Sequence, residues 1–338
     1  MTSKELARKL GLSEAAVSLA LNNKPGVSTT TRNRVKAAAE AAGLELAGMS
    51  SPQQAGVIYL VYFRRHGAVL ADTSFFSELT EGVERGCSAN GYRVNILNVY
   101  QLEDLQRTLD NAHAAGVAGV ILFGTEMREE DFATLDFSRL PIVLLDNHCP
   151  SATIDSVQIN NLDGAFLATD YLIKQCKQQP GYLKSAYPIM NFAQRTAGFR
   201  KAITYNGMSK SSAIIHELTP SIEGACDDML EILSSGDKLA ACYFADNDLI
   251  AIGAIKAFKA KGYRIPQDIS VLGFDDIAMC DYTEPALTTI HVPKCYMGLM
   301  AAERLVYLIK NKSLYPVNIQ VATHLVIRNS ITSTAQGD

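Results

Sequence analysis

The side chains best suited to metal binding or nucleophilic catalysis are spread thinly along this chain of 338 residues. None of its six histidines lies at the close spacings that zinc sites use, and its seven cysteines form no CxxC pair. Glycine motifs of the GxGxxG and GxxxxGK[ST] types and a GxSxG nucleophile turn are also missing. The sequence therefore predicts neither an enzyme nor a metal or cofactor site, and its cysteines are expected to be reduced thiols.

A run of small and polar side chains near the N-terminus has the spacing of a DNA-reading helix. A tight turn at 11–13 separates two short amphipathic segments, and the second, 14–22, would enter the major groove as the recognition helix of a helix-turn-helix. Glu14 could accept a hydrogen bond from a cytosine amino group, while Ala15 and Leu19 could contact thymine methyl groups. Other polar residues are candidates for phosphate contacts. The full set of candidate DNA-contacting residues is Ser13, Glu14, Ala15, Ser18, Leu19, Asn22, Thr29 and Arg32.

Charge is distributed unevenly along the chain. Residues 1–36 hold seven basic and two acidic side chains, whereas the whole chain carries a net charge of −4. A small basic head on an acidic remainder is expected when only one end of a protein meets a polyanion. The same pattern would also fit a small helical bundle with a solvated basic face, so charge alone does not establish DNA binding.

After residue 56, apolar strands alternate with amphipathic helices. Alternation of apolar strands with helices predicts parallel sheets covered on both faces. Ten strands are typical of two doubly wound lobes with a ligand cleft between them. The predicted fold is an all-α helix-turn-helix head followed by a two-lobed α/β body of the periplasmic-binding-protein type. The predicted strands are 56–63, 92–98, 117–123, 141–145, 156–159, 182–186, 213–217, 239–244, 269–274 and 321–327. The later helices are predicted at 161–178, 194–206, 222–235, 247–261 and 294–311.

No segment has the length and apolarity of a membrane anchor. The longest apolar runs fall far short of the ~18 residues that a membrane helix needs. The first ten residues, MTSKELARKL, lack the apolar core of a signal peptide. We therefore expect a cytoplasmic protein with no membrane partner.

Several segments carry motifs in a distinctive order. They are LARKLGLSEAAVSLALNNKPGVSTTTRNRVKAAAEAAG at 6–43, QRTAGFRKAI at 194–203, FADNDLIAIGAIKAFKAKGYRIPQDISVLGFDDI at 244–277 and HLVIRNS at 324–330. Together they resemble the lactose-repressor (LacI/GalR) family over nearly the whole chain. The resemblance implies a homodimeric, sequence-specific DNA-binding regulator that binds pseudopalindromic double-stranded operator DNA. We expect this regulator to be a repressor.

The resemblance also implies how the chain is divided. Residues 1–43 would form the DNA-binding domain, 44–56 a linker, and 57–338 an effector-binding and dimerisation domain. Its two lobes would be about 57–159 with 291–320, and about 160–290 with 321–330. The effector expected between them is a sugar or sugar derivative.

The family's effector contacts can be carried over residue by residue. An arginine lying between two carboxylates would suit a polyhydroxylated molecule, and all the matching positions end strands or open helices at the carboxyl edge of a parallel sheet. Each could instead be a structural ion pair or a helix cap. The candidate effector-binding residues are Phe75, Phe76, Asp146, Arg195, Asn247 and Asp275.

The chain departs from the family pattern at three places. The linker lacks the P-N-x-x-A-R-x-L motif of a hinge helix and is about four residues short, which leaves Leu46 or Met49 as candidates for a minor-groove wedge. Leu19 stands where arginine is frequent, and ELTPSIEG at 217–224 has no aromatic residue to stack on a ligand. A two-lobed sugar-binding protein without a regulatory DNA role is the alternative, and the basic head argues against it.

Overall fold

The computed structural model describes residues 3–21, 26–41, 55–67, 69, 73–311, 313 and 315–332. The chain forms two compact units, Met1–Ala55 and Gly56–Asp338, which we call the head and the body. Within the described residues, no helix is both long and apolar enough to cross a membrane.

Three helices make up the head: α1 (Ser3–Leu10), α2 (Glu14–Leu21) and α3 (Thr29–Ala41). Gly11 ends α1 with φ +66°, a left-handed conformation that glycine adopts without strain. Ser13 then caps α2, because its Oγ accepts a hydrogen bond from the Ala16 amide at 3.1 Å. The helices share a small core of Leu6, Ala7, Val17, Ala20, Val35 and Ala39. The predicted helix-turn-helix is confirmed.

The body is two-lobed and contains two parallel sheets. Its strands are β1 (Gly56–Phe63), β2 (Tyr92–Val99), β3 (Gly119–Phe123), β4 (Ile142–Leu145), β5 (Asp155–Ile159), β6 (Gly181–Ser185), β7 (Ile215–Leu218), β8 (Cys242–Ala245), β9 (Ser270–Leu272), β10 (Thr289–His291), β11 (Asn318–Val321) and β12 (His324–Val326). Its helices are α4 (Thr73–Ala89), α5 (Leu102–Ala114), α6 (Glu129–Phe132), α7 (Asn161–Cys176), α8 (Met190–Tyr205), α9 (Ile222–Ser235), α10 (Asp248–Ala260) and α11 (Lys294–Lys310).

Sheet A has the strand order β11-β5-β4-β3-β1-β2, and sheet B has the order β7-β6-β8-β9. All neighbours within both sheets are parallel, whereas β10 and β12 form a separate antiparallel pair. Strands β3, β4 and β5 are buried along their whole length because helices cover both faces of the sheet. The predicted two-lobed α/β fold is confirmed.

Two of the strands were not predicted. β11 is a short edge strand that is exposed or half-buried except at Val321, and β10 spans only three residues. Neither has the long apolar run on which strand prediction depends. Helix α8 also begins at Met190 rather than 194, and its N-cap residue Ile189 makes no side-chain capping bond.

Helices α4 and α11 touch backbone to backbone. A Cβ atom added to Gly82 would lie 2.0 Å from the carbonyl oxygen of Cys295, and one added to Gly298 would lie 2.1 Å from that of Leu79. Only glycine allows this approach. The two helices therefore pack as one block against sheet A.

Candidate functional site

A small cavity lies where the carboxyl ends of sheets A and B face each other. This is the edge at which doubly wound sheets bind ligands. The structure brings all six predicted effector-binding residues to its wall. The lining residues are Val69, Phe75, Phe76, Thr125, Asp146, Ile189, Asn191, Phe192, Arg195, Asn247 and Asp275.

Asp146 follows β4 and is 3% exposed. Its carboxylate accepts hydrogen bonds from Thr125 Oγ1 at 2.7 Å and from Asn191 Nδ2 at 3.1 Å. Burial raises the pKa of Asp146 to about 6, although the Thr125 hydrogen bond and the charge of Arg195 act in the opposite direction. The ionised form of Asp146 is therefore destabilised in this cavity. A ligand group that donates a hydrogen bond to the carboxylate would offset that cost.

Arg195 projects from α8 and is almost fully buried. Its Nε donates to Asn161 Oδ1 at 2.9 Å, its Nη1 donates to the carbonyl oxygen of Asp246, and its Nη2 pairs with Asp275 Oδ1 at 3.1 Å. The guanidinium also lies 3.8 Å from the centre of the Phe274 ring. Among the described residues, Arg195 forms its ion pair with Asp275, whereas Asp146 feels its charge without a direct hydrogen bond to it.

Asn247 is the N-cap residue that precedes α10, and its Oδ1 accepts a hydrogen bond from the Ile250 amide at 3.0 Å. The residue therefore acts as a helix cap as well as lining the cavity. Its Nδ2 is the group that could donate to a ligand.

Phe75 and Phe76 lie at the start of α4, with ring centres 5.0 Å apart in an edge-to-face arrangement. Phe76 also packs edge-on against Phe123, at 5.2 Å. Both phenylalanines are at least nine-tenths buried, so they join the core of sheet A and present only part of their surface to the cavity.

Sequence reasoning missed several lining residues, and a signal for two of them was present. Asn191 and Phe192 lie four and three positions before Arg195, which places all three on one face of a helix. The predicted helix began at 194 and so left them out. Thr125 follows the end of β3 and is recognisable only when β3 and β4 are known to be neighbours.

Two buried carboxylates flank Asn247 without lining the cavity. Asp246 accepts a hydrogen bond from the Ser185 amide at 2.6 Å, and Asp248 accepts one from Thr289 Oγ1 at 2.6 Å. Burial raises the pKa of Asp246 to about 6 and that of Asp248 to about 7. Both tie strand ends together beneath the cavity. In the described part of the chain, no group of three or more His, Cys, Asp or Glu side chains is arranged to hold a metal ion.

In the head, α2 presents Glu14, Ala15 and Ser18 on an exposed face, while Leu19 is half-buried. Glu14 lies 3.8 Å from Lys4 in an exposed ion pair that a cytosine contact would have to replace. Thr29 is exposed at the start of α3 and Arg32 is half-buried one turn later. The predicted contacts Asn22, Leu46 and Met49 lie outside the described residues.

Comparisons with known proteins find matches in both the head and the body. A family profile described as "Bacterial regulatory proteins, lacI family" matches residues 2–43, and one described as "Periplasmic binding protein-like domain" matches residues 170–331. The HTH-type transcriptional repressor PurR of Escherichia coli O139:H28 is 31% identical over 336 residues, which cover 98% of this chain and 96% of that protein.

Two solved structures are similar in fold to 98% of this chain. They are the lac repressor dimer bound to operator and the anti-inducer ONPF, and the transcriptional regulator CelR–cellobiose complex. Each has a TM-score of 0.72 and 24% identity, and each alignment covers 98% of this chain and 99% of the other.

Proposed function

Because the chain belongs to the LacI family of bacterial regulatory proteins and is a DNA-binding transcriptional repressor rather than an enzyme, we propose that a small uncharged sugar controls its affinity for operator DNA. The sugar would occupy the cavity lined by Asp146, Arg195, Asn247 and Asp275. The observation that carries the proposal is the set of buried hydrogen-bonding groups that meets there from both sheets.

The charges around the cavity favour a neutral ligand. Arg195 is the single cation among the described residues that line the cavity, and its three nitrogens already have protein partners. Asp146 and Asp275 supply two carboxylates, so a phosphate or carboxylate on the ligand would add a third negative charge in a poorly solvated space. Hydroxyl groups can donate to both carboxylates and accept from the Asn247 amide without that cost.

Regulation of DNA binding would depend on a homodimer in the cytoplasm. A single head makes too few contacts for specificity, whereas two heads can read the two half-sites of a pseudopalindromic operator. The lac repressor in its operator complex is a dimer of the same fold. Coupling of ~1–3 kcal/mol between the cavity and the heads is enough to switch occupancy of the operator.

A thermal-shift and calorimetric panel tests the ligand class. The panel contains neutral sugars (D-ribose, D-galactose and cellobiose), anionic relatives (glucose 6-phosphate and gluconate) and purine bases (adenine and hypoxanthine). We expect a neutral sugar to raise the melting temperature of the wild-type chain, because a ligand that binds only the folded state stabilises it. Binding of an anionic sugar or of a purine, with no neutral sugar bound, would refute the proposed class.

A further inference from the structure

We propose that Lys294 is a positioning residue of the effector cavity. Its side chain holds the turn at Asp275–Asp276 against the first turn of α11. This inference rests on the proposed function, because it assigns a role in presenting Asp275 to a ligand. Lys294 does not line the cavity itself and acts through Asp275.

Lys294 is 1% exposed, which is rare for lysine, and its ammonium group is surrounded by carbonyl oxygens. It donates to the carbonyl oxygens of Asp275 at 2.9 Å, of Asp276 at 3.0 Å and of Val292 at 3.4 Å. Three acceptors match the three N–H bonds of an ammonium group. Its nearest carboxylate oxygen, on Glu78, is 3.9 Å away on a side chain that is 45% exposed.

The turn that Lys294 holds has an unusual backbone. Asp275 has φ +112° and Asp276 has φ +54°, values that side chains other than glycine rarely adopt. Conformations of this kind persist only where the surroundings impose them. The Asp275 amide donates to the carbonyl oxygen of Ile290 at 3.0 Å, and Lys294 binds the carbonyl oxygens of both aspartates.

The orientation of this turn decides where the Asp275 carboxylate points. With the backbone in place, Asp275 pairs with Arg195 at 3.1 Å and lines the cavity. If the turn relaxed toward negative φ, the carboxylate would leave that position, because the side chain follows the backbone rotation.

Lys294 also connects Asp275 to the α4–α11 block. It is the first residue of α11, and its Nζ lies 5.8 Å from the centre of the Phe75 ring at the start of α4. Phe75 lines the cavity from the side of sheet A, whereas Asp275 does so from the side of sheet B. Lys294 therefore contacts cavity residues from both sides.

Hydrogen–deuterium exchange on the full-length, ligand-free chain tests the assignment. Lys294→Met keeps most of the side-chain volume and removes the donors. We expect amides at Gly273, Asp275 and Ile277, which bond from this turn to neighbouring elements, to exchange at least tenfold faster. Amides in α4 and β3 should be unchanged. Lys310→Met, at the exposed last residue of the same helix, is the matched control and should alter none of them.

The outcomes separate positioning from a general structural role. Unchanged exchange at the turn would overturn the proposal, and so would faster exchange across the entire body, since a lysine needed only for folding would produce that result. If Lys294→Met does not fold, Lys294→Arg takes its place, and local acceleration at the turn of about threefold is the expected result. Uniform acceleration or none in that variant would also overturn the proposal.

A second measurement connects the turn to ligand binding. The sugar that shifts the wild-type melting temperature should bind Lys294→Met at least tenfold more weakly and Lys310→Met with unchanged affinity. Equal affinity for Lys294→Met would contradict the positioning role. If no panel compound binds the wild-type chain, the ligand proposal fails, and the exchange experiment still decides whether Lys294 holds the turn.

Discussion

In the head, three of the side chains expected to contact DNA lie on the outer face of α2, whereas in the body those proposed to contact an effector are mostly buried. Glu14, Ala15 and Ser18 are exposed, and none of them belongs to the core of the head. Asp146 and Arg195 are 3% exposed and hydrogen-bonded to their neighbours. The head can therefore change its DNA contacts with little effect on folding, while the cavity cannot change a polar group without altering the stability of the body.

The first prediction is that salt weakens DNA binding by the head far more than sugar binding by the body. Raising NaCl from 50 to 200 mM should weaken operator binding by about 10³–10⁵-fold if six to ten phosphates are contacted, because counterions released from DNA drive that binding. Binding of a neutral sugar should change by less than about twofold, since screening acts on exposed charges. Electrophoretic shift and calorimetry measure the two affinities. Salt-insensitive DNA binding would remove the distinction between the regions.

The second prediction concerns Arg195→Ala. Removing this side chain leaves the half-buried Asp275 without its ion-pair partner, a change that typically costs about 2–5 kcal/mol, or roughly 30-fold in affinity or more. We expect the response to the sugar to be lost while operator binding stays within about twofold of wild type. The control is Arg200→Ala, an exposed position on the same helix. A variant that still responds at wild-type sugar concentrations would show that the site is elsewhere.

The third prediction is a pH effect at Asp146. Its pKa is about 6 in the folded protein against 3.8 for an ordinary aspartate, so folding favours the protonated form. That contribution to stability is present below about pH 4 and is lost as the pH rises through 6. Asp146→Asn should therefore raise the unfolding free energy of the body by about 1–3 kcal/mol at pH 8 and by little at pH 4.5.

The same variant sharpens the comparison between head and body, because Asp146→Asn should bind the sugar more weakly while being more stable. Denaturant unfolding at the two pH values measures the stability change, and Asp227→Asn on the exposed face of α9 serves as the control. A stability gain that persists at pH 4.5 would show that the effect arises from packing and not from the buried charge.

The sequence was most informative where one element carries the pattern by itself. The three helices of the head and the long apolar strands of sheet A follow from local periodicity, as does the order of elements in the body. The short strands β10 and β11 escaped prediction because their pairing comes from distant partners. The prediction of α8 began too late because Ile189 offers no capping side chain to mark the true start.

The composition of the cavity wall could be predicted better than its internal bonding. All six expected residues line it, because strand ends in parallel sheets meet at one edge. Which carboxylate would pair with Arg195 depended on backbone geometry at Asp275, where φ is +112°. The positive φ of Asp275 cannot be inferred from its residue type alone. The hydrogen bond from the buried Lys294 to the Asp275 carbonyl oxygen cannot be inferred in that way either.

The glycine contacts between α4 and α11 have a mechanical consequence. Gly82 and Gly298 leave no gap between the helices, so neither helix can slide along the other without backbone collision. If the two helices move together, a small tilt at the end that carries Phe75 and Lys294 is transmitted to the opposite end of the pair. With 17 residues in each helix, the pair is about 25 Å long. The displacement at Ala89 and Lys310 would therefore exceed the displacement at the cavity end.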